Sequence, residues 1–179
     1  MAADPTETGL NRAELMHPWS RINLILAAAL AILLIADFWP TAGSAYPPLT
    51  SLTADTIEHI RIERDARLQI GLQRQDGGWQ LNHPDDAAAS IERVQQLLAV
   101  LRAPVFYGFP AEGDLDRFGL TEPTLLLHLS GPSGEWHIAF GDREPNQSGR
   151  YVLVDDEVRV IDDLFFNLLS LPPRHFRGD

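Results

Sequence analysis

The sequence predicts an α+β protein: an N-terminal transmembrane helix followed by an antiparallel-sheet domain with helices on one face. Three observations predict it. An apolar run from Ile22 to Ala36 is interrupted only by Asn23. After residue 56, strand-length stretches of alternating polarity recur, separated by turn residues. One longer stretch, Ala87 to Leu101, carries apolar residues at helical spacing.

The apolar run alone spans only about 22 Å as a helix, short of the roughly 30 Å hydrocarbon core. Its flanks extend it. Trp19 and Trp39 bracket the run, and a helix from one to the other reaches about 30 Å. Indole rings at both ends match the aromatic belts of a membrane interface. Arg12 and Arg21 precede the run, and no basic residue follows until Arg61. This asymmetry predicts a cytoplasmic amino terminus and an exported domain. Pro40 stops the helix. A cleavable signal peptide is the rival reading, because small residues follow at Ala42-Gly43-Ser44-Ala45. The long polar tail before Arg21 and the bulky Asp37-Phe38-Trp39 favour an uncleaved anchor. The predicted organisation is a cytoplasmic tail (1–18), an anchor (19–39), a linker (40–48), an exported α+β domain (49–171) and a C-terminal tail (172–179).

Composition narrows the function. A hydrophobic content of 45% is that of a folded chain. There is no cysteine, which excludes disulfides and thiolate chemistry, and all fourteen basic residues are arginine, which excludes a catalytic lysine. The net charge of −11 argues against nucleic acid as a partner.

Taken in order, the alternation of Ile60 and Ile62 with Arg61 and Glu63 predicts a half-buried strand. Leu68, Ile70 and Leu72 predict its hairpin partner. Asp76-Gly77-Gly78 is a turn signal leading into a short strand at Trp79-Gln80-Leu81. Pro84-Asp85-Asp86 is expected to start a helix over Ala87–Leu101, with Ile91, Val94, Leu97, Leu98 and Leu101 as its apolar stripe. Val105–Gly113 reads as a loop or short edge strand. Asp114–Gly119 reads as one helical turn closed by a glycine cap. With Pro132-Ser133 at a turn, Leu129 pairs with Trp136, Leu127 with Ile138 and Leu125 with Phe140, all on one face. Tyr151–Val154 and Val158–Ile161 form a further hairpin. Leu164–Leu169 is a short helix, and Pro172-Pro173 is expected to end ordered structure. The two blocks, 57–101 and 124–169, share a strand-rich, helix-last order. A diverged internal duplication and a chance likeness of short hairpins both explain it.

No catalytic motif is present. His128 and His137 fall opposite each other across the predicted hairpin, on the face away from the core, at a spacing compatible with a shared metal. A zinc site needs three or four protein ligands, and none beyond these two is fixed nearby, so a polar outer face is the simpler reading. His59 and His83 read as surface residues. Asp114 and Asp116 have the spacing of part of a calcium loop without its remainder, and helix capping explains them. Asp155-Asp156-Glu157 and Asp162-Asp163 read as solvated turns and caps. Neither catalytic, cofactor nor metal residues are assigned.

The strand with Ile60 and Ile62, the Asp76–Leu81 turn, the segment Asp114-Leu115-Asp116-Arg117-Phe118-Gly119-Leu120-Thr121-Glu122-Pro123, and Gly141 with Arg150-Tyr151-Val152 resemble the bacterial domain-of-unknown-function family 4340. Members are membrane-anchored, and some are associated with gliding-motility-type ABC transport systems. The resemblance covers roughly residues 57–165 and brings no catalytic residues. It implies a non-catalytic accessory or scaffold protein in the bacterial inner membrane, its main domain periplasmic, acting on protein partners such as ABC transporter subunits. The alternative is a periplasmic sensor of a small ligand or metal, using the face with His128 and His137.

Overall fold

A computed structural model describes residues 46–145 and 149–178. The expected cytoplasmic tail, the anchor and the linker as far as residue 45 lie outside the described residues. Among the described residues, no helix is long and apolar enough to cross a membrane.

The described residues form a single antiparallel sheet. Its strands are β1 (His59–Arg64), β2 (Arg67–Gln75), β3 (Gly78–His83), β4 (Ala87–Ala89), β5 (Tyr107–Pro110), β6 (Leu125–Gly131), β7 (Gly134–Arg143), β8 (Gly149–Val154) and β9 (Glu157–Asp162). Their order is β4-β3-β2-β1-β6-β7-β8-β9-β5. Two meanders, β1–β4 and β6–β9, thus meet where β1 lies antiparallel to β6. There Ile60 pairs with Leu129 and Ile62 with Leu127. Each meander is followed by a short helix, α1 (Ile91–Leu98) and α2 (Leu164–Leu169).

Turn chemistry explains the tight hairpins. Asp65 and Ala66 take positive φ between β1 and β2, and Asp76 and Gly77 do so between β2 and β3, as hairpin turns matched to strand twist require. The β6–β7 register is Leu125–Phe140, Leu127–Ile138 and Leu129–Trp136, as the apolar pattern predicts. The six side chains join Ile60, Ile62, Ile70, Leu72 and Leu81 in the main core. Val94, Leu97 and Leu98 of α1 and Leu169 of α2 enter the same cluster, so both helices cover one face. Each fully buried Leu or Ile contributes about 1.5–3 kcal/mol of burial.

Two expectations are corrected. The helix does not begin at Ala87. Ala87–Ala89 is instead the strand β4, paired with Leu81, Gln80 and Trp79 of β3. Ser90 is the cap, its Oγ accepting from Arg93 N–H, and the α-helix ends at Leu98 before a 3-10 turn, Ala99–Arg102. Tertiary pairing overrides the high helix propensity of three alanines. Ile91, expected in the buried stripe, is exposed, because it stands at the first turn beyond the sheet edge.

The segment expected as a C-terminal tail is also structured. Pro173–Phe176 forms a 3-10 turn and Phe176 is fully buried. Ser90 N–H donates to Phe176 O at 2.9 Å and Gly178 N–H to Ala88 O at 2.8 Å. This segment therefore lies along the β4 edge of the sheet.

The opposite face of the sheet carries a second apolar cluster over its β6–β9 half. Leu120, Ala139 and Val158 are buried there, flanked by Phe109, Leu115, Phe118 and Leu126. The 3-10 turn Leu115–Phe118 covers it. Asp114 caps that turn through Asp116 N–H, at 3.1 Å, and Gly119 closes it at φ +64°. Gly141 lets the turn approach: a Cβ there would stand 2.1 Å from Phe118 O.

Candidate functional site

Two places carry features beyond packing. The first is the outer face of β1, β6 and β7. Alternation along β6 puts Leu125, Leu127 and Leu129 into the core, and so turns Leu126 and His128 outward. His137 is its direct partner on β7. Counted from the closing Gly131–Gly134 pair, this is a non-hydrogen-bonded position, where cross-strand side chains come closest.

The two imidazoles meet at Nδ1, 2.8 Å apart, with their planes at 82°. One Nδ1–H therefore donates to the other Nδ1. His128 Nε2 faces Glu63 Oε1 at 3.6 Å, beyond hydrogen-bond reach, and is buried without a partner. Arg61 in turn donates to Glu63 Oε1 at 3.3 Å. The His128 pKa lies below the ordinary histidine value. Partial burial is the main cause, opposed by the Glu63 charge and reinforced by His137. The neutral form of His128 is thus favoured relative to a free imidazole. His59 and Glu135 line the same shallow depression of about 200 Å³. Among the described residues, no group of three or more His, Cys, Asp or Glu side chains is gathered closely enough to hold a metal.

The other candidates are placed as follows. His83 Nε2 contacts Leu68 O at 3.1 Å, bracing β2 against β3. Asp114 is a cap, as is Asp162, which accepts from Leu164 N–H at 2.8 Å. Asp163 pairs with Arg150. Asp155 and Asp156 make the β8–β9 turn.

The second place is a cleft of about 720 Å³, lined among others by Tyr46, Pro47, Pro48, Phe106, Tyr107 and Trp136. It opens where the start of the folded domain runs beside the lead into β5. Val105 N–H donates to Pro47 O at 2.9 Å, and Pro48 bridges Pro104. Arg159 reaches across its floor to Leu49 O and pairs with Glu157 at 2.7 Å. Tyr107, on its rim, donates to Glu144 Oε1 at 2.6 Å. The phenol pKa is pushed well above the ordinary range, first by burial and then by that bond to a carboxylate. Sequence reasoning passed over this cleft. Its lining comes from four separate stretches of chain, and only the aromatic and proline content of 46–48 and 104–107 hinted at it.

The fold and these surfaces define an α+β sheet domain with an aromatic cleft and a paired-histidine face. Comparison with protein-family models, curated proteins and solved structures finds no match to this chain.

Proposed function

We propose that this chain is a non-catalytic accessory or scaffold protein of a bacterial envelope complex, working through protein–protein contacts. The observation that carries the reading is the cleft beside β5. Aromatic rings gathered at a sheet edge make large contact areas, and such rings are concentrated at protein interfaces. Tyr46 and Tyr107 are among the exposed large hydrophobic residues, both on this rim. The partner is a membrane protein complex, with ABC transporter subunits the leading candidates on the strength of the sequence resemblance to domain-of-unknown-function family 4340.

In this reading residues 19–39 anchor the chain in the inner membrane, amino end in the cytoplasm, and the sheet domain stands in the periplasm. The apolar run, its bracketing tryptophans and the arginine asymmetry support that placement. An acidic domain is repelled by anionic lipid, which favours contact with protein over the bilayer surface. We also read the two meanders as a diverged duplication. The mirrored strand order of the two four-strand meanders and the helix after each support it.

The test is affinity purification of the full chain from detergent-solubilised membranes, with partners identified by mass. Stable recovery of a transporter permease or its ATPase is the expected result. Repeated recovery of the protein alone would refute the proposal.

A further inference from the structure

We propose that His128 and His137 form a cis-chelating site for a divalent transition metal of tetragonal preference, Cu²⁺ or Ni²⁺, on the outer face of the sheet. The argument begins with a distance. Two nitrogens bound at about 2.0 Å in adjacent positions of a square-planar metal stand about 2.8 Å apart, whereas a tetrahedral zinc holds them about 3.3 Å apart. The observed Nδ1–Nδ1 separation is 2.8 Å. The hydrogen bond sets that separation here, and it brings the two nitrogens within the tetragonal spacing; binding then requires both rings to turn so that their lone pairs meet at one point.

The surroundings suit this role. Metal binding through both Nδ1 atoms leaves each ring protonated at Nε2: the donor ring gives its Nδ1 proton to solvent and takes one up at its own Nε2, and the ligating His128 carries its proton on Nε2. That atom is the buried one without a partner, and it faces Glu63 Oε1 at 3.6 Å. A carboxylate behind a ligating imidazole fixes its tautomer and raises its basicity. The rigid β6–β7 ladder holds both backbones at a position of close side-chain approach, so little ordering remains for binding to oppose. Arg61, which borders the site, is paired with Glu63 and mostly exposed, and the domain is strongly acidic overall. Two imidazoles from protein leave the other equatorial positions to water or to an incoming ligand. His59 and Glu135 border that open side.

The experiment titrates Cu²⁺ into the full chain in detergent and reads the electron paramagnetic resonance spectrum. The expected result is one stoichiometric tetragonal site whose hyperfine structure reports two equatorial imidazole nitrogens. His128→Gln or His137→Gln alone should weaken binding at least tenfold, and the double variant should lose the stoichiometric site. Glu63→Gln keeps both ligands and should weaken binding several-fold. A wild-type spectrum with no nitrogen or one nitrogen would overturn the proposal without any variant. So would undiminished two-nitrogen binding in the double variant, and so would tighter binding of Zn²⁺ than of Ni²⁺.

Discussion

Arg150 of β8 reaches Asp163 at the start of α2, its Nε 2.6 Å from Asp163 Oδ1. Its Nη1 donates to Gly141 O at 2.5 Å, and its guanidinium lies 3.6 Å from the Phe166 ring centre. Both partners of the ion pair are little exposed, at 12% and 13% of the side chain. Removing one partner leaves the other charge poorly solvated, at a cost of about 3 kcal/mol. Asp163→Asn should therefore lower stability by about that amount, read by denaturant unfolding of the full chain in detergent. A loss within a few tenths of a kcal/mol would mean that the asparagine side-chain oxygen or water satisfies the Arg150 guanidinium in place of the carboxylate.

Gly141→Ala tests the second apolar face. The added methyl would collide with Phe118 O and with the Leu120 side chain, the latter at 2.9 Å. The 3-10 turn Leu115–Phe118 must shift away, at about 1–3 kcal/mol. Faster amide exchange is expected in residues 115–120, with β1–β3 unchanged. Unchanged exchange at 115–120 would show that the turn does not depend on this close approach.

Truncation after Leu171 distinguishes a tail from a structural element. Phe176 is fully buried against the main core, and loss of a buried Phe side chain costs about 3–5 kcal/mol. The truncated protein, or Phe176→Ala in the full chain, should be strongly destabilised. The β4 strand should then lose its exchange protection first, since Gly178 and Phe176 hold its neighbourhood.

Tyr107 supplies a pH signature. Its phenol pKa is raised in the folded chain, so the unfolded chain gives up this proton first as the solution becomes alkaline. The associated stability is complete below about pH 10 and is lost as pH rises through the folded value. The difference in phenolate absorbance between wild type and Tyr107→Phe should titrate above the ordinary tyrosine range. Glu144→Gln should bring it down. A wild-type midpoint near pH 10 would contradict the bond to Glu144.

Much of this fold is legible in the residues, and the exceptions have physical causes. The β6–β7 register follows from the Pro132-Ser133 turn together with side-chain alternation, because a slip by one residue would turn Leu125, Leu127 and Leu129 outward. That register also places His128 against His137. The strand Ala87–Ala89 was not legible, since alanine favours helix until β3 offers backbone partners. The burial of Phe176 was hidden because two prolines before it look like an ending, and nothing local shows that the sheet edge awaits a cover. The second core was hidden for a related reason. Gly141 and Gly119 mark it, but a glycine announces a close approach only once the approaching segment is known. The cleft depends on contacts between stretches far apart in sequence, which no local pattern records.

The central claim is that the rim of the cleft beside β5 touches a membrane complex. It is tested most directly by a benzophenone photo-crosslinker placed at Tyr107 in cells, with the same group at Gln75 on a distant strand end as control. The account predicts one discrete adduct from position 107, containing an ABC transporter subunit by mass, and none from position 75. No adduct from position 107, or the same adducts from both positions, would contradict it.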